Sequence, residues 1–370
     1  MVNLLKNLFA KKKQGLGIEL SPDRINIVQL CKQGQGYKLE NFVTVEVPEN
    51  VFQEGQIADA PQIAELIRQA LADNKIKIRN VATAIPGREV VSRLIPVPAE
   101  LNDQELRDYM NQEAGLYLPF PREEADVDFQ KLGLFVDEDG IEKVQVLLVA
   151  TRKEIIDTYI NIFKEAELAI DVIEVTSFAL LRTIREQLQQ FTPQEAAVLA
   201  DIEFDSTELA IVVDGIPQFS RTIPIGTFHI QSALAKAMNL PPSRNTDLLA
   251  GMTIPVTPVD TSGGLGATSL GNENPGAAAM LKVLGELADE IRRSLDFYLN
   301  QSENLEVAQM LLAGPGAALG QIDEFFMQRL SLPTSGIDPI ESLSLEVNEE
   351  ISPVQRTGLG VVLGLALREV

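Results

Sequence analysis

Two stretches almost half a chain apart share one pattern, and this duplication constrains the fold more than any other feature. Residues 16–30 and residues 198–213 each predict a strand, an acidic residue, a tight polar turn and a second strand. A second turn and a third extended segment follow in both copies, after residues 34–36 and after residues 214–215. An amphipathic helical pattern comes next in each. We therefore predict two similar α/β halves.

Two halves of this kind, facing each other, would bring two acid-bearing hairpins to the mouth of one cleft. Backbone N–H groups of such turns can bind a polyphosphate, and the acidic side chains can hold its metal ion. The duplication therefore predicts a cleft with the chemistry of a nucleotide site.

Composition excludes several other classes of protein. A chain of 370 residues, 45% of them hydrophobic, can build two or more domains with their own cores. A net charge of −22 and the absence of tryptophan argue against nucleic-acid binding, which needs a basic surface and stacking aromatics. The single cysteine excludes an intrachain disulfide, and with the single histidine it cannot build a zinc site. We find no cleavable signal pattern and no sufficiently long apolar run, and we expect a cytosolic protein.

Residues 87–168 interrupt the first half and do not belong to the duplication. Their pattern predicts a strand at 90–97 and a helix whose start carries the capping-box spacing of Asn102 and Glu105. A hairpin with its turn at 137–140 and a second helix follow. We predict a small inserted α+β module, whose role is protein contact because it has no convergent polar cluster.

The rest of the chain divides around this module. We assign residues 16–86 and 169–192 to the first half, 193–239 and 308–370 to the second half, and 240–307 to a subdomain of the second half. Within that subdomain, residues 240–276 predict a mobile surface loop, and a long helix follows from about Ala277 to Asn300. Residues 1–15 predict an amphipathic tail with a basic end, which is either a weak interfacial anchor or a frayed terminus.

The order and spacing of these segments resemble the actin-like ATPase superfamily, in which two ribonuclease H-like halves enclose a nucleotide cleft. Within it, the chain is similar to the PilM family of type IV pilus assembly proteins, which is related to the cell-division homologue FtsA. The resemblance runs from Leu16 to Arg368. It rests on the two hairpins and on residues 94–128, 144–154, 290–298, 312–316 and 364–368.

The resemblance implies ATP or ADP with Mg²⁺ as the cofactor. The implied contacts are Ser21, Pro22, Asp23 and Asn26 in the first hairpin, Asp201, Asp205, Ser206 and Thr207 in the second, Gly226, the adenosine loop Gly314, Pro315, Gly316 and Ala317, and Glu290 and Arg293 at the ribose and adenine. Asp201 would hold Mg²⁺ through water. Glu174 would position an attacking water, or would simply be a solvated residue between domains.

Five positions depart from the superfamily pattern in this cradle. Pro22 has no N–H to offer a phosphate, and Asn26 lacks the charge of the usual lysine. Glu203 stands where a glycine is usual, and its carboxylate would repel a nearby phosphate by several kcal/mol at an effective dielectric of about 20. Pro315 and Thr227 each replace a further glycine. Nucleotide binding therefore stays open at this point. We expect any such binding to be weak and metal-dependent, and hydrolysis to be weak or absent.

Three function classes compete. The resemblance implies a cytosolic scaffold of the type IV pilus machine, at the inner face of the inner membrane, that binds the N-terminal tail of the membrane protein PilN and links it to the motor ATPases. An FtsA-like division or filament-forming homologue, with self-association, is the second class. A small-molecule kinase is the third, but it would need an aspartate base and an intact phosphate cradle.

For the partner, we expect docking between the first-half core and the inserted module. The apolar residues Leu116, Tyr117, Leu118 and Phe120 are the predicted contact, because the prolines around Phe120 keep the segment extended. The alternative is that Tyr117 and Phe120 cover the core of the module itself.

Overall fold

The structure is a computed structural model, which describes residues 14–34, 36–246, 249, 251–256, 275–300, 305–348 and 350–368. Except for residues 14–15, which begin the first strand, the predicted amphipathic tail lies outside the described residues. The same holds for residues 247–248, 250 and 257–274 of the predicted loop. No membrane-spanning candidate occurs among the described helices, since none combines the length and the hydropathy that a bilayer requires.

The first half is built on a five-stranded mixed sheet. Its strands are β1 (Gln14–Leu20), β2 (Arg24–Gln33), β3 (Gly36–Glu46), β6 (Asn80–Ile85) and β10 (Ala169–Val175), while β4 (Phe52–Gln53) and β5 (Gln56–Ile57) form a separate pair. The strand order is β10-β6-β1-β2-β3. The hairpin of β1 and β2 places Glu19 opposite Asn26, at the end next to the turn.

The second half repeats this design. Its strands are β11 (Glu195–Ile202), β12 (Thr207–Val213), β13 (Ile216–Ile223), β14 (Glu306–Ala313) and β15 (Thr334–Gly336), in the order β13-β12-β11-β14-β15. Here the hairpin of β11 and β12 places Asp201 opposite Glu208. The predicted duplication is therefore confirmed down to the register of the two acidic residues.

The helices cover the outer faces of both sheets, fill the space between them and, in one case, cover the sheet of the inserted module. They are α1 (Ala60–Asp73), α2 (Asp103–Glu113), α3 (Lys153–Glu165), α4 (Thr176–Thr183), α5 (Arg185–Leu188), α6 (Thr227–Ala237), α7 (Pro275–Leu299), α8 (Ile322–Leu330), α9 (Pro339–Ser342), α10 (Pro353–Thr357) and α11 (Gly360–Leu367). On the first sheet, α1 and α3 bury their apolar stripes, and α6, α7 and α8 do so on the second. Burying these stripes supplies most of the stabilisation of each half.

Helix α11 packs on the first-half sheet and crosses α4. At Gly17 of β1, an added Cβ would lie 2.5 Å from the carbonyl oxygen of Val362, and at Gly364 it would collide with that of Ala179. Glycine is therefore required at both close approaches. Because α11 is apolar on all sides, it can be buried between elements of both halves. Its packing on the first sheet differs from the sequence-based assignment of residues 308–370 to the second half.

The inserted module is a three-stranded sheet with one helix on it. Its strands are β7 (Val90–Pro98), β8 (Ala125–Val136) and β9 (Glu142–Arg152), in the order β7-β9-β8. The predicted capping box of Asn102 and Glu105 begins α2, whose buried Leu106 and Met110 cover one face of the sheet. The opposite face is turned towards β10 of the first half, and a groove lies between them.

Candidate functional site

An ion pair joins the two hairpins across the cleft. Nη2 of Arg24 lies 2.6 Å from Oε2 of Glu203, and Nη1 of Arg24 lies 3.1 Å from Oδ2 of Asp23. The side chains of Arg24 and Glu203 are only 12% and 18% exposed, so water screens the pair weakly. The carboxylate predicted to repel a phosphate is therefore neutralised by a guanidinium group of the chain itself.

Further contacts tie the second hairpin to the first half. Nη1 of Arg88 lies 2.9 Å from Oδ2 of Asp205. The Glu208 carboxylate accepts hydrogen bonds from the backbone N–H of Gly87 at 2.6 Å and from the Thr176 hydroxyl at 2.7 Å. Burial raises the pKa of Glu208, and these donors oppose that rise. The cleft is thus held closed by contacts within the chain.

Arg244 completes this closure from the segment after α6. Its Nη2 donates to the carbonyl oxygen of Pro22 at 2.8 Å, and its guanidinium carbon lies 5.2 Å from the ring centre of Phe204. A cation over an aromatic face is attracted by the ring quadrupole. The contact falls in the predicted loop of residues 240–276, where no local pattern indicates a cleft residue.

Two buried acids lie behind this closure. Glu19 is 3% exposed and accepts a hydrogen bond from Asn26 at 3.1 Å, while Asn26 in turn accepts one from Thr44 at 2.9 Å. Burial, together with the nearby Glu203 carboxylate, raises the pKa of Glu19 to about 8. Asp201 is 4% exposed, and burial raises its pKa well above the ordinary range. Both acids therefore hold their protons more tightly than ordinary carboxylic acids do.

The predicted adenosine loop lies against Asp201. Gly314 has a φ of +79°, and a Cβ there would stand 2.6 Å from Oδ1 of Asp201 and 2.5 Å from the carbonyl oxygen of Ile202. Pro315, Gly316 and Ala317 follow in a 3₁₀ turn, Pro315–Ala318. The structure thus brings this loop and Asp201 together, and only glycine fits at their closest approach.

The start of α6 is bound by the second hairpin. The N–H groups of Thr227 and Phe228 donate to the carbonyl oxygens of Glu203 and Phe204, each at 2.9 Å. Gly226 precedes them, and a Cβ at that position would clash with the same carbonyl of Glu203. Two backbone donors of this helix N-terminus are therefore already engaged.

Two other side chains predicted at the phosphates also donate hydrogen bonds to partners within the second half. The Ser206 hydroxyl donates to Oδ1 of Asp205 at 3.1 Å, and the Thr207 hydroxyl donates to the carbonyl oxygen of Ile225 at 2.7 Å. A cavity of about 280 Å³ lies beside the hairpin turns. Residues that line it include Ser21, Pro22, Asp205 and Ser206 of the predicted set, together with Arg88 and Tyr159.

As arranged, this cleft is unfavourable for the phosphates of a nucleotide. Arg24 and Arg88 are bound to carboxylates, and a phosphate near Arg24 would have to displace Glu203. Three arginines lie at the cleft, namely Arg24, Arg88 and Arg244. The acidic residues outnumber them and are Glu19, Asp23, Asp201, Glu203, Asp205 and Glu208. Within the described part of the chain, no group of three or more His, Cys, Asp or Glu residues is placed to hold a metal ion.

Glu174, the predicted water-positioning residue, is bound by two arginines. Its oxygens lie 2.6 Å and 2.9 Å from the two Nη atoms of Arg182, and Nη1 of Arg368 lies 3.2 Å away. Its carboxylate lines the groove beside the inserted module and does not line the cavity at the hairpins. This bidentate ion pair favours a role in positioning α4 and α11.

Glu290 and Arg293, the predicted ribose and adenine contacts, lie on the side of α7 that faces β13. The Glu290 carboxylate pairs with Arg293 and, at 2.9 Å, with Nη2 of Arg221. Arg221 also donates to the Ser294 hydroxyl at 3.0 Å. Neither predicted residue lines the cavity at the hairpins.

The groove between the inserted module and the first half has a volume of about 590 Å³. One wall is the face of β8 that carries Asp126, Asp128 and Gln130. The apolar part includes Val172 of β10 and Phe178 of α4. Both bordering strands, β8 and β10, are edge strands of their sheets. Edge strands present unpaired backbone groups to which an extended segment can bind.

The apolar segment predicted to bind a partner lies elsewhere on the module. Leu116 is 76% exposed and Tyr117 is 36% exposed, while the ring of Phe120 packs under Arg152, 4.7 Å from its guanidinium carbon. None of these three, nor Leu118, lines the groove. The groove residues were not among the sequence-based predictions, although the alternation of Asp126, Asp128 and Gln130 with apolar residues is visible in the sequence.

Comparisons with known proteins bear on this architecture. Residues 17–245 and 280–370 match the family described as type IV pilus assembly protein PilM. A solved structure described as the PilM-PilN type IV pilus biogenesis complex superposes with a TM-score of 0.78 at 25% identity, covering 96% of this chain and 98% of that chain. The ethanolamine utilization protein EutJ from Carboxydothermus hydrogenoformans shares the fold, with a TM-score of 0.54 at 13% identity over 99% of this chain and 96% of that one.

The family match covers most of the chain and both halves of the duplicated fold. The predicted α/β architecture, with two similar halves and an inserted module, is confirmed by the sheets and by these relatives. The chain belongs to the PilM family of type IV pilus assembly proteins.

Proposed function

We propose that this chain is a scaffold of the type IV pilus assembly machine, which holds the cytosolic N-terminal tail of PilN in the groove beside the inserted module. The observation that carries the proposal is the groove itself, about 590 Å³ in volume and bordered by two edge strands. An extended tail can add to such an edge through its main chain, while pockets for alternate side chains give specificity. The similarity to a PilM-PilN complex supports the choice of partner.

The walls of the groove define the segment that would fit. Val172 and Phe178 offer apolar contact, and Asp126 and Asp128 face the same space with exposed carboxylates. The bound tail would therefore be extended, with apolar side chains on β10 and α4 and a basic side chain at the carboxylates. Such a tail would hold the protein at the cytoplasmic face of the inner membrane, where it would connect PilN to the pilus motor ATPases.

Nucleotide plays a secondary role in this proposal. ATP or ADP would bind weakly and only with Mg²⁺, since the cation would have to offset the cleft carboxylates. Asp201 would hold the cation through water, and its carboxyl group would have to lose its proton to do so. Closure of the cleft by Arg24 and Glu203 supports a scaffold that keeps its shape without nucleotide. A kinase is not supported, because the acids of the cleft are paired with arginines or buried.

A titration with a synthetic peptide of the PilN tail tests the proposal. Asp126→Lys combined with Asp128→Lys should weaken binding by at least about tenfold, because two attractive charge pairs become repulsive. Both side chains are exposed, so the melting temperature should stay unchanged. Glu100→Lys with Asp108→Lys makes the same charge change outside the groove and should bind normally.

Two results would contradict the proposal. One is full affinity in the groove variant, which would place the tail elsewhere. The other is an equal loss in the control variant, which would indicate a general effect of net charge and no specific site.

A further inference from the structure

Two exposed surfaces have no role in the cleft or in the groove. The first is the end of the hairpin of β8 and β9, residues 134–142, here named the acidic tip. The second is a cavity of about 870 Å³ between β7, β13 and α7, here named the arginine pocket. Its defining residues are Arg93, Phe219, Arg221, Arg293 and Phe297.

The acidic tip combines exposed apolar side chains with carboxylates. Leu134 is 63% exposed, Val136 is 65% exposed and Ile141 is 55% exposed. Glu138 and Glu142 beside them are exposed as well. An exposed apolar group of this size, rimmed by charge, is typical of a protein contact.

Contacts within the chain also hold the turn of the tip in place. The Asp137 carboxylate accepts the backbone N–H of Ile141 at 2.8 Å and that of Asp139 at 3.1 Å, and Nζ of Lys143 lies 2.7 Å from it. The Lys143 hydrogen bond, followed by these backbone donors, holds the pKa of Asp137 below its ordinary value. A turn fixed in this way loses little conformational entropy when it binds.

The arginine pocket is positively charged and partly aromatic, which complements the acidic and apolar side chains of the tip. Arg93, Arg221 and Arg293 surround it, and Glu290 is the carboxylate paired with the last two, which leaves a positive balance. The aromatic part is Phe219, whose ring centre lies 6.0 Å from that of Phe297, and Phe297 is 55% exposed. On a chain with a net charge of −22, such a positive aromatic surface selects an acidic, apolar partner.

The tip of the same molecule cannot fill this pocket. Arg93 pairs with Leu148 in the module sheet, whereas the tip begins where Pro98 pairs with Lys143. These positions are five residues apart along β9, which is about 17 Å within one sheet. The two surfaces can therefore meet only between different copies of the chain.

We propose that the acidic tip of one copy docks in the arginine pocket of a second copy, so that copies associate head to tail. Glu138 and Glu142 would face Arg93 and Arg293, and the exposed apolar residues of the tip would cover Phe297. Because the two surfaces differ, the contact is heterologous, and each bound copy still offers a free tip or a free pocket. The association weakens with salt, since its charges are exposed.

Sedimentation velocity on the full chain tests this proposal. The wild-type protein should form species larger than a dimer as its concentration rises at low salt. A pocket variant, Arg93→Glu with Arg293→Glu, and a tip variant, Glu138→Lys with Glu142→Lys, should each remain monomeric. Mixing the two variants should restore species larger than a dimer, because the native tip meets the native pocket and the reversed charges of the altered tip and pocket also attract each other.

Matched controls make the same charge changes elsewhere. Arg68→Glu with Lys77→Glu corresponds to the pocket variant, and Glu100→Lys with Asp108→Lys corresponds to the tip variant; both should associate like the wild type. Thermal melting of every variant checks the fold.

The proposal is overturned by a wild-type chain that stays monomeric up to about 1 mM, where even a contact of about −4 kcal/mol would be half formed. It is equally overturned by pocket and tip variants that still associate separately, or by a mixture of the two that stays monomeric. Because neither surface lines the PilN groove, these results are independent of peptide binding.

Discussion

The hairpin cleft and the groove beside the inserted module use their charges in opposite ways. In the cleft, Arg24 binds Glu203, Arg88 binds Asp205, and the buried acids behind them are 3–4% exposed. In the groove, Asp126 and Asp128 are exposed on a bare strand face. The charged groups of the cleft are paired with other groups of the chain, whereas the groove leaves its carboxylates and edge strands available to another molecule.

A duplicated fold can therefore keep the geometry of a ligand cleft while the charged residues of that cleft stabilise the contact between its two halves. The cross-cleft ion pair has one partner in each half, so each half fixes the orientation of the other. A groove held between such fixed halves and a module is pre-organised for an extended partner. The predictions below test this contrast, beginning with the largest expected effect.

Arg24→Met should destabilise the fold by roughly 3–5 kcal/mol, because it leaves Glu203 as a largely buried, unpaired charge beside Asp23 and Glu19. Urea unfolding measures the loss. Arg68→Met, at an exposed ion pair with Glu65, should cost less than about 1 kcal/mol. Arg24→Met with Glu203→Gln should recover part of the loss, and a double variant as unstable as the single one would show that the pair is not the cause.

The pH dependence of stability should change in Glu19→Gln. The folded pKa of Glu19 is raised from 4.5 to about 8, so its stabilising contribution is fully present below pH 4.5 and is lost as the pH rises towards 8. Between pH 6 and pH 9, the wild type should therefore lose roughly 2 kcal/mol more than the variant does. Urea unfolding at both values measures this difference.

Burial also raises the pKa values of Asp201, Glu203 and Glu208, so a smaller loss with the same sign should remain in the variant. Equal pH profiles for the wild type and Glu19→Gln would mean that the Glu19 carboxyl group is not protonated in the folded chain at neutral pH.

Nucleotide affinity should increase in Glu203→Gly, by about tenfold, because a carboxylate near the phosphates is removed and Arg24 is released. Calorimetric titration with ATP and Mg²⁺ measures the change. Asp201→Ala should abolish the dependence on Mg²⁺ together with most of the binding. Micromolar binding to the wild type that ignores Mg²⁺ and survives Asp201→Ala would contradict the arrangement inferred here for the cleft.

Phe120→Ala should lower the free energy of unfolding by about 1 kcal/mol, because Arg152 loses the aromatic face on which it packs. Tyr117→Ala should have a smaller effect, since Tyr117 is exposed. Neither residue lines the groove, so both variants should bind the PilN tail normally. Loss of tail binding with an unchanged melting temperature would restore the segment of residues 116–120 as the docking site.

Features set by neighbours in the chain were predictable. The hairpins around Glu19 and Asp201 follow from alternation and turn residues, and the start of α2 follows from the spacing of Asn102 and Glu105. The long helix was expected at about Ala277 to Asn300 and is found at Pro275–Leu299. These patterns succeed because hydrogen bonds and side-chain periodicity act over a few residues.

The direction in which a side chain points was less predictable. Glu290 and Arg293 are correctly placed on α7, but they face β13, because the buried stripe of that helix is fixed by the second sheet. Likewise, Leu116 is exposed and Phe120 is covered by Arg152, although the segment is uniformly apolar in the sequence. A one-residue rotation of a helix or turn changes such a contact without changing the local pattern.

By itself, the sequence determined that two similar α/β halves exist, that each carries an acidic hairpin, and that a separate module interrupts the first. Only the tertiary structure decided what those hairpins do. Arg24 and Glu203 are 179 residues apart, and Arg244 and Pro22 are 222 residues apart. No local rule selects such partners, because a long-range ion pair depends on how two independently folded halves are oriented and on how much water their contact excludes.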